Sequence, residues 1–389
     1  MNIRLLLAAV FTLATGAAFA AEGWLTINNP PPVIGADGQP HEASCSGYPG
    51  TNSRYKFWVR PGDPKKLAVV FDGGGACFDN LTCSFPMGGR VRDPVIQFYT
   101  PAIPRGVDPS RYGGLLDLAN PANPLRDWTL VAIPYCTGDV HLGSADRTYD
   151  NVGHPRLPAQ FTIRHRGYDN FMVVLDWISR NLPSDVQDLL VTGASAGGYG
   201  AAGHFPWLAR QFPQARLSVL ADASQGVSTP AFDSGNPGRA GWNVQLAPWV
   251  FGSDPLAVPT NEMFRRGAQA YPGARFAQYT NTQDSVQAGF YAYMKLFFGP
   301  GGDCPRVTPD WNRQMLDTLA TDRALLTNFR SYVLPGADHT IIADDKFYSA
   351  SPAGQPFSDW LGAMLDWRPG APAWNHAACP DCLTPLPCP

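Results

Sequence analysis

The stretch Val191-Thr-Gly-Ala-Ser-Ala-Gly-Gly-Tyr199 decides how this chain is read. Gly193, Ser195 and Gly197 make a Gly-x-Ser-x-Gly pattern directly after an apolar run at 188–192. Such a pattern places a serine hydroxyl on a sharp strand-to-helix turn, where only residues without bulk let the chain pack closely. Ala194, Ala196 and Gly198 meet the same demand, so Ser195 is the candidate nucleophile of an ester-cleaving site. A short pattern recurs by chance, and it gains weight only with a base, an acid and an oxyanion hole in compatible chain order.

Outward from the elbow, short runs rich in Val, Leu and Ile stand at 67–71, 128–133, 189–191, 217–220, 276–279 and 332–334. Continuous apolar runs of this length suit parallel strands buried on both faces. Helical patterns lie between them. Phe171, Val174, Leu175, Ile178 and Leu182 recur at three- and four-residue spacing, with Asp169 as cap and Pro183 past the end. A second helix is predicted from just after Ser195 to about 212, kinked or interrupted at Pro206. A third, capped by Ser358, carries Trp360, Leu361, Met364 and Leu365. The alternation predicts an α/β fold, a doubly wound and mostly parallel sheet flanked by helices, with the ligand at the carboxyl ends of the strands. Segments 79–123 and 223–270 are too rich in Gly, Pro and aromatic residues for plain connections, and are expected to be insertions over the active site.

Residues 1–20 read as a signal peptide, with a basic start, a short apolar core and Ala18-Phe-Ala20 as cleavage site. The apolar run is too short to span a bilayer, so the mature protein is expected to be secreted or periplasmic without a membrane anchor. Residues 21–389 show no repeat and no linker and are expected to form a single domain and a monomer. A formal net charge of −3, from 29 basic and 32 acidic side chains, offers no basic face to nucleic acid. Eight cysteines in an exported chain are most simply disulfides, and the short spacing of Cys77 and Cys83 suits a local bridge. Cys379-Pro-Asp-Cys382 with His376 nearby raises zinc, but no second Cys-x-x-Cys accompanies it and the tail at 379–389 is Pro-rich, so no metal is expected.

A serine nucleophile needs an imidazole base, whose pKa lies near the working pH. His339, in Gly336-Ala-Asp-His-Thr-Ile-Ile342, directly follows the apolar run at 332–334 and is the candidate. His204 lies too far along the helix after Ser195 to turn back, and His41, His154, His165 and His376 have no strand leading into them. In this kind of sheet the acid falls between serine and histidine in the chain. Asp284 follows the run at 276–279 and is favoured; Asp222, after 217–220, competes, and Asp338 is adjacent to the histidine but expected to point elsewhere. Backbone N–H groups of Gly73 and Gly74, in Phe71-Asp-Gly-Gly-Gly-Ala-Cys77, and of Ala196 are the candidate oxyanion donors. No Gly-Lys-Ser/Thr follows the glycines, so a phosphate loop is a weak alternative. The mechanism needs no cofactor.

With these residues in place, the chain resembles the pectin acetylesterase and Notum family of secreted carboxylesterases. The resemblance is carried by Phe71-Asp-Gly-Gly-Gly-Ala-Cys77, Pro134-Tyr-Cys-Thr-Gly-Asp-Val-His-Leu-Gly143, Asn170-Phe-Met-Val-Val-Leu-Asp-Trp177, Gly193-Ala-Ser-Ala-Gly-Gly198, Asp284-Ser-Val-Gln287 and Asp338-His339. It implies an α/β-hydrolase fold, a triad of Ser195, Asp284 and His339, and an oxyanion hole at Gly73, Gly74 and Ala196. Plant members remove acetyl from pectin, and the animal Notum branch removes a long unsaturated acyl chain from Wnt proteins. The expected partner is therefore an ester substrate, an acetylated polysaccharide such as pectin. A lipase-like, long-chain acyl or polyester esterase on the same triad is the alternative, and a catalytically silent carbohydrate-binding protein the minor one. Tyr135, Asp139, His141, Trp242 and Trp249 are candidate substrate-binding residues.

Overall fold

Leu67, Val69 and Phe71 alternate with Ala68 and Val70 along one strand, and all five are buried. The first three join the apolar core on one face of the sheet and the other two the core on the opposite face. Side chains alternate along a strand, so a sheet covered on both sides demands apolar residues at every position. That is why the apolar runs read from the sequence all became strands of one sheet.

The computed structural model describes residues 23–87, 97–299, 302, 304–349, 351 and 354–388. The expected signal peptide at 1–20 and residues 88–96 of the first expected insertion lie outside the described residues. The sheet is built from β1 (Leu25–Asn28), β2 (Lys56–Arg60), β3 (Asp63–Phe71), β4 (Trp128–Ile133), β5 (Asp188–Ala194), β6 (Arg216–Asp222), β7 (Arg275–Asn281), β8 (Phe329–Leu334) and β9 (Ala377–Ala378). Their spatial order is β1-β2-β4-β3-β5-β6-β7-β8-β9, antiparallel at β1/β2 and β2/β4 and parallel from β4 onward. The antiparallel edge was not read from the sequence, because β1 and β2 carry polar residues that hide their pattern.

Helices α1 (Gly167–Asn181), α2 (Ala196–Gln211), α3 (Thr260–Ala270), α4 (Ser285–Phe298) and α5 (Val307–Leu325) bring buried side chains to the first core, and α6 (Phe357–Leu365) to the second. Two expected starts move. α1 begins at Gly167, upstream of Asp169, because the Gly167 N–H donates to Asp139 Oδ2 (2.7 Å) from a distant loop. Asp169 is instead buried and accepts from His41 Nδ1 at 2.7 Å. α6 starts one residue before Ser358, after Pro356. Pro206 stays inside α2 without ending it. The segment at 223–270 contains α3 and several short helical turns, with Trp242 fully buried.

The register fixes where chemistry can occur. Phe71 pairs with Gly193, Ala194 with Asp222, Asp222 with Tyr279 and Asn281 with Leu334, so five neighbouring strands end along one edge. The chain after each end emerges on that edge, where open parallel sheets bind ligands.

Candidate active site

Ser195 lies between β5 and α2 at φ 57° and ψ −123°, in the left-handed region that a residue with a side chain rarely adopts. Its N–H donates to the Asp222 carbonyl (2.8 Å), and its own carbonyl accepts from Ser224 Oγ (2.8 Å). A methyl group on Gly197 would lie 2.0 Å from the Phe71 carbonyl oxygen, so the first turn of α2 touches the end of β3 only because that residue has no side chain. On the other side the glycine loop after β3 passes the serine: a methyl group on Gly73 would stand 3.0 Å from Ser195 Cβ. Ala196 opens α2, where an N–H has no acceptor within its helix.

His339 follows β8, and its Nδ1 lies 2.9 and 2.8 Å from the two oxygens of Asp284. A carboxylate only accepts, so Nδ1 carries the proton and Nε2 holds the lone pair in the neutral ring. Nε2 is buried with no hydrogen-bond partner among the described residues. His339 and Ser195 line the same cavity. Asp284 is fully buried and caps α4, with Oδ1 accepting from the N–H groups of Val286 (3.0 Å) and Gln287 (2.9 Å). Oδ2 accepts from Gln287 Nε2 (2.8 Å), and that amide is locked in turn to Gln225. Gln225 was not singled out from the sequence, and Gln287 stood there only as the end of the Asp284-Ser-Val-Gln287 motif, since amide pairs leave no periodic signal.

Asp222 is the neighbouring acid and faces a different task. Its Oδ2 accepts from the N–H groups of Ile341 (2.9 Å) and Ile342 (2.8 Å), just past His339. Its Oδ1 is buried with no partner among the described residues, and burial pushes the carboxyl up to about 7. Asp338 points out and pairs with Lys346.

The Tyr135 block lies behind the cavity wall rather than in it. Asp139 is fully buried and accepts from Thr137 Oγ1 (2.6 Å), His141 N–H (3.2 Å) and the Gly167 N–H. Burial raises its carboxyl to about 6. His141 donates from Nε2 to the Asp72 carbonyl at 2.9 Å, which ties the block to the glycine loop, and burial lowers its pKa to about 4. The Tyr135 hydroxyl accepts from the Val140 N–H (2.9 Å). Val140 is held at φ 49°, an outlier for a β-branched residue, and its side chain is the part of this block that reaches the cavity with Leu142. The expectation that Tyr135, Asp139 and His141 bind substrate thus meets a structural role for all three. Trp242 does line the cavity, and its Nε1 donates to the Cys77 carbonyl (2.7 Å). Trp249 does not: it is half-exposed on the outer face of α2, edge-on to Trp207 and under Arg210.

Three of the remaining histidines serve the core. His204 stacks on Phe171 at 4.2 Å and hydrogen-bonds the His141 carbonyl (2.6 Å), and burial lowers its pKa to about 3. His165, expected in a loop, is the buried last residue of a strand at Gln160–His165 whose alternate residues are exposed, and it lies between the Thr137 carbonyl (3.0 Å) and the Tyr149 hydroxyl (2.8 Å). His41 is buried between Asp37 and Asp169, which raise its pKa against the opposing effect of burial. The eight cysteines pair as Cys45–Cys136, Cys77–Cys83, Cys304–Cys388 and Cys379–Cys382, so the two sulfurs weighed as zinc ligands are bonded to each other.

The cavity beside Ser195 measures about 80 Å³ and has mostly apolar walls, among them Phe78, Val140, Phe232, Trp242, Phe290 and Met294. A family model described as pectinacetylesterase matches residues 42–235, from the strand region before the glycine loop through the elbow and into the second insertion. The chain belongs to this family. Membership in the pectinacetylesterase family indicates an esterase, of the carboxylesterase or acetylesterase kind. The match ends before Asp284 and His339, so the roles of these two rest on their geometry. No curated protein compared with the chain matches it.

Proposed function

We infer that this pectinacetylesterase-family protein is an exported serine carboxylesterase on an α/β-hydrolase scaffold, acting as a monomer on acetyl esters of a polysaccharide. The scaffold reading is supported by the elbow between β5 and α2, the glycine loop after β3, and an acid and a histidine after β7 and β8. Four disulfides suit an oxidising compartment.

In this reading Ser195 Oγ attacks the ester carbonyl carbon while His339 Nε2 takes its proton. The N–H groups of Gly73 or Gly74 and of Ala196 hold the oxyanion. Collapse breaks the bond to the alcohol, which leaves with the proton returned by His339, and an acyl-enzyme remains. Water attacks it by the same route, releases the carboxylic acid and restores Ser195. Asp284 keeps His339 in the Nδ1–H form and stabilises the imidazolium.

The observation that carries the proposal is the His339–Asp284 pair, with a His339 Nε2 that has no partner among the described residues and a ring that lines the same cavity as Ser195. A long-chain acyl esterase on the same triad is the second reading, favoured by the mostly apolar walls of the cavity, and rates along a series of aryl esters of increasing acyl length discriminate the two. Ser195→Ala should lower turnover of p-nitrophenyl acetate by several orders of magnitude. Near wild-type rates in that variant would sink the mechanism. Acetate release from acetylated pectin and acetylated xylan, measured beside the aryl acetate, tests the polysaccharide part separately.

A further inference from the structure

The glycine loop after β3 borders two cavities. Gly75 lines the mostly apolar one that holds Ser195 and His339, and Gly73 lines another of about 360 Å³, together with Asp72, Arg111, Tyr112, Ala194 and Ala343. Both adjoin the nucleophile, since Gly73 packs beside Ser195 and Ala194 is the residue before it. Asp72 prolongs its strand, its N–H donating to the Ile133 carbonyl (2.9 Å). Phe71 faces the first core, so the Asp72 side chain turns to the opposite face, where Leu115 and Leu116 of the second core also line this cavity. Both Asp72 carboxylate oxygens are open to solvent, and neither has a hydrogen-bond partner among the described residues. Burial with no donor to offset it pushes this carboxyl up to about 7. Burial and then the Asp72 charge push the Tyr112 phenol up to about 12, so the two side chains lie within each other's field. Arg111 and Tyr112 are exposed, and neither side chain has a hydrogen-bond or ion-pair partner among the described residues.

We propose that this second cavity receives the alcohol half of the ester, and that the alcohol is a pyranose sugar whose hydroxyls donate to Asp72 and accept from Arg111, with Tyr112 beside the ring. The proposal rests on the ester-hydrolase reading above and assigns residues to its alcohol side. Around a carbonyl carbon bonded to Ser195 Oγ the acyl group and the alcohol point apart, so each needs its own space. The apolar cavity fits an acyl group, whereas a sugar there would leave its hydroxyls without partners. A hydroxyl both donates and accepts, and the second cavity meets it with an open carboxylate and an open guanidinium. Tyr112 adds an apolar face with a polar tip, matched to the mixed surface of a sugar ring. An alkyl alcohol would instead cover the Asp72 carboxylate without offering it a donor, which costs binding. Ile342 and Ala343, just past His339, line the same cavity, so it also adjoins the segment that carries the base.

The test keeps the acyl group and changes the alcohol. The kcat/KM for mono-acetylated methyl xylopyranoside is compared with that for cyclohexyl acetate, which has a six-membered ring and no hydroxyl, and p-nitrophenyl acetate serves as control. Each value is divided by the hydroxide-catalysed rate of the same ester. The natural protein should favour the sugar acetate over cyclohexyl acetate by about ten-fold or more, the scale of one hydrogen bond to a charged group. In Asp72→Leu that ratio should fall to within about three-fold of unity, and in Arg111→Ala it should lie between. A ratio cancels any loss of folded enzyme, and a merely structural role for Asp72 would lower all three esters together. No sugar preference in the natural protein, or an unchanged ratio in both variants, overturns the proposal, and the natural protein alone suffices if a variant fails to fold. Activity on the aryl acetate with a flat ratio overturns the alcohol assignment and leaves the hydrolase reading standing. A protein inactive on every ester would overturn that reading and the proposal with it.

Discussion

Two buried aspartates stand beside one histidine, and their partners separate them. Asp284 contacts the ring; Asp222 contacts the main chain that follows it. Asp284→Asn should therefore cost about 10⁴ in kcat, because the amide no longer holds the Nδ1–H tautomer. Asp222→Asn keeps an oxygen for the Ile341 and Ile342 N–H groups and should cost less than about ten-fold. Kinetics of both variants on one aryl acetate decide between them, and equal losses would refute the division of roles. The same variants differ in pH behaviour. Burial raises the Asp222 carboxyl to about 7, so the folded protein holds a proton that the unfolded chain releases near its ordinary value of about 4. Its contribution to stability is complete below that ordinary value and is lost as pH rises towards about 7. The melting temperature of Asp222→Asn relative to the natural protein should accordingly climb between those limits and level off above. Both aspartates fall between Ser195 and His339 in the chain, and the place after the run at 276–279 together with the family resemblance favoured Asp284; neither signal could say what Asp222 does, since the contact with Ile341 and Ile342 depends on a loop path no local pattern encodes.

At the scale of elements, the elbow is a contact between the end of β3 and the first turn of α2. Gly197→Ala would press its new methyl group onto the Phe71 carbonyl, a main-chain atom that cannot swing aside. The expected cost is about 1–3 kcal/mol of stability, seen as a lower denaturation midpoint, with a loss of turnover beyond the loss of folded protein. An unchanged midpoint would mean that the elbow is looser than its geometry implies. The strands around this contact were readable because each is apolar on both faces, and α2 was readable from the small residues after Ser195. The start of α1 was not, because its cap comes from Asp139 in a distant loop. Nor did any local rule reveal Val140, whose left-handed backbone is imposed by the Tyr135 hydroxyl and the buried residues beside it. Propensity rules describe neighbours in sequence; these features are set by neighbours in space.

For the whole molecule, the sheet order and the disulfides hold together parts that arrive far apart in the chain. Cys45–Cys136 closes a separation of 91 residues with both sulfurs buried, and it anchors the block behind the cavity to the segment before β2. Replacing both cysteines by alanine should cost about 2–5 kcal/mol in denaturant unfolding. A loss below 1 kcal/mol would show that packing alone fixes this block. The sequence indicated disulfides and suggested Cys77–Cys83; Cys379–Cys382 is local as well, and the two long-range partnerships depend on how distant segments of the chain meet. The connectivity also has a meaning in time. Cys77–Cys83 lies inside Cys45–Cys136, and Cys379–Cys382 lies inside Cys304–Cys388. A chain fed from its amino end into an oxidising compartment presents its thiols in sequence, and an oxidant joining each to the one before would link Cys45 to Cys77 and Cys83 to Cys136. Reaching the nested arrangement then requires either that β3 and β4 bring the right partners together before oxidation, or that thiol–disulfide exchange undoes the first bonds. If the chain is exported in this way, its connectivity calls for a reshuffling catalyst or for folding that runs ahead of oxidation.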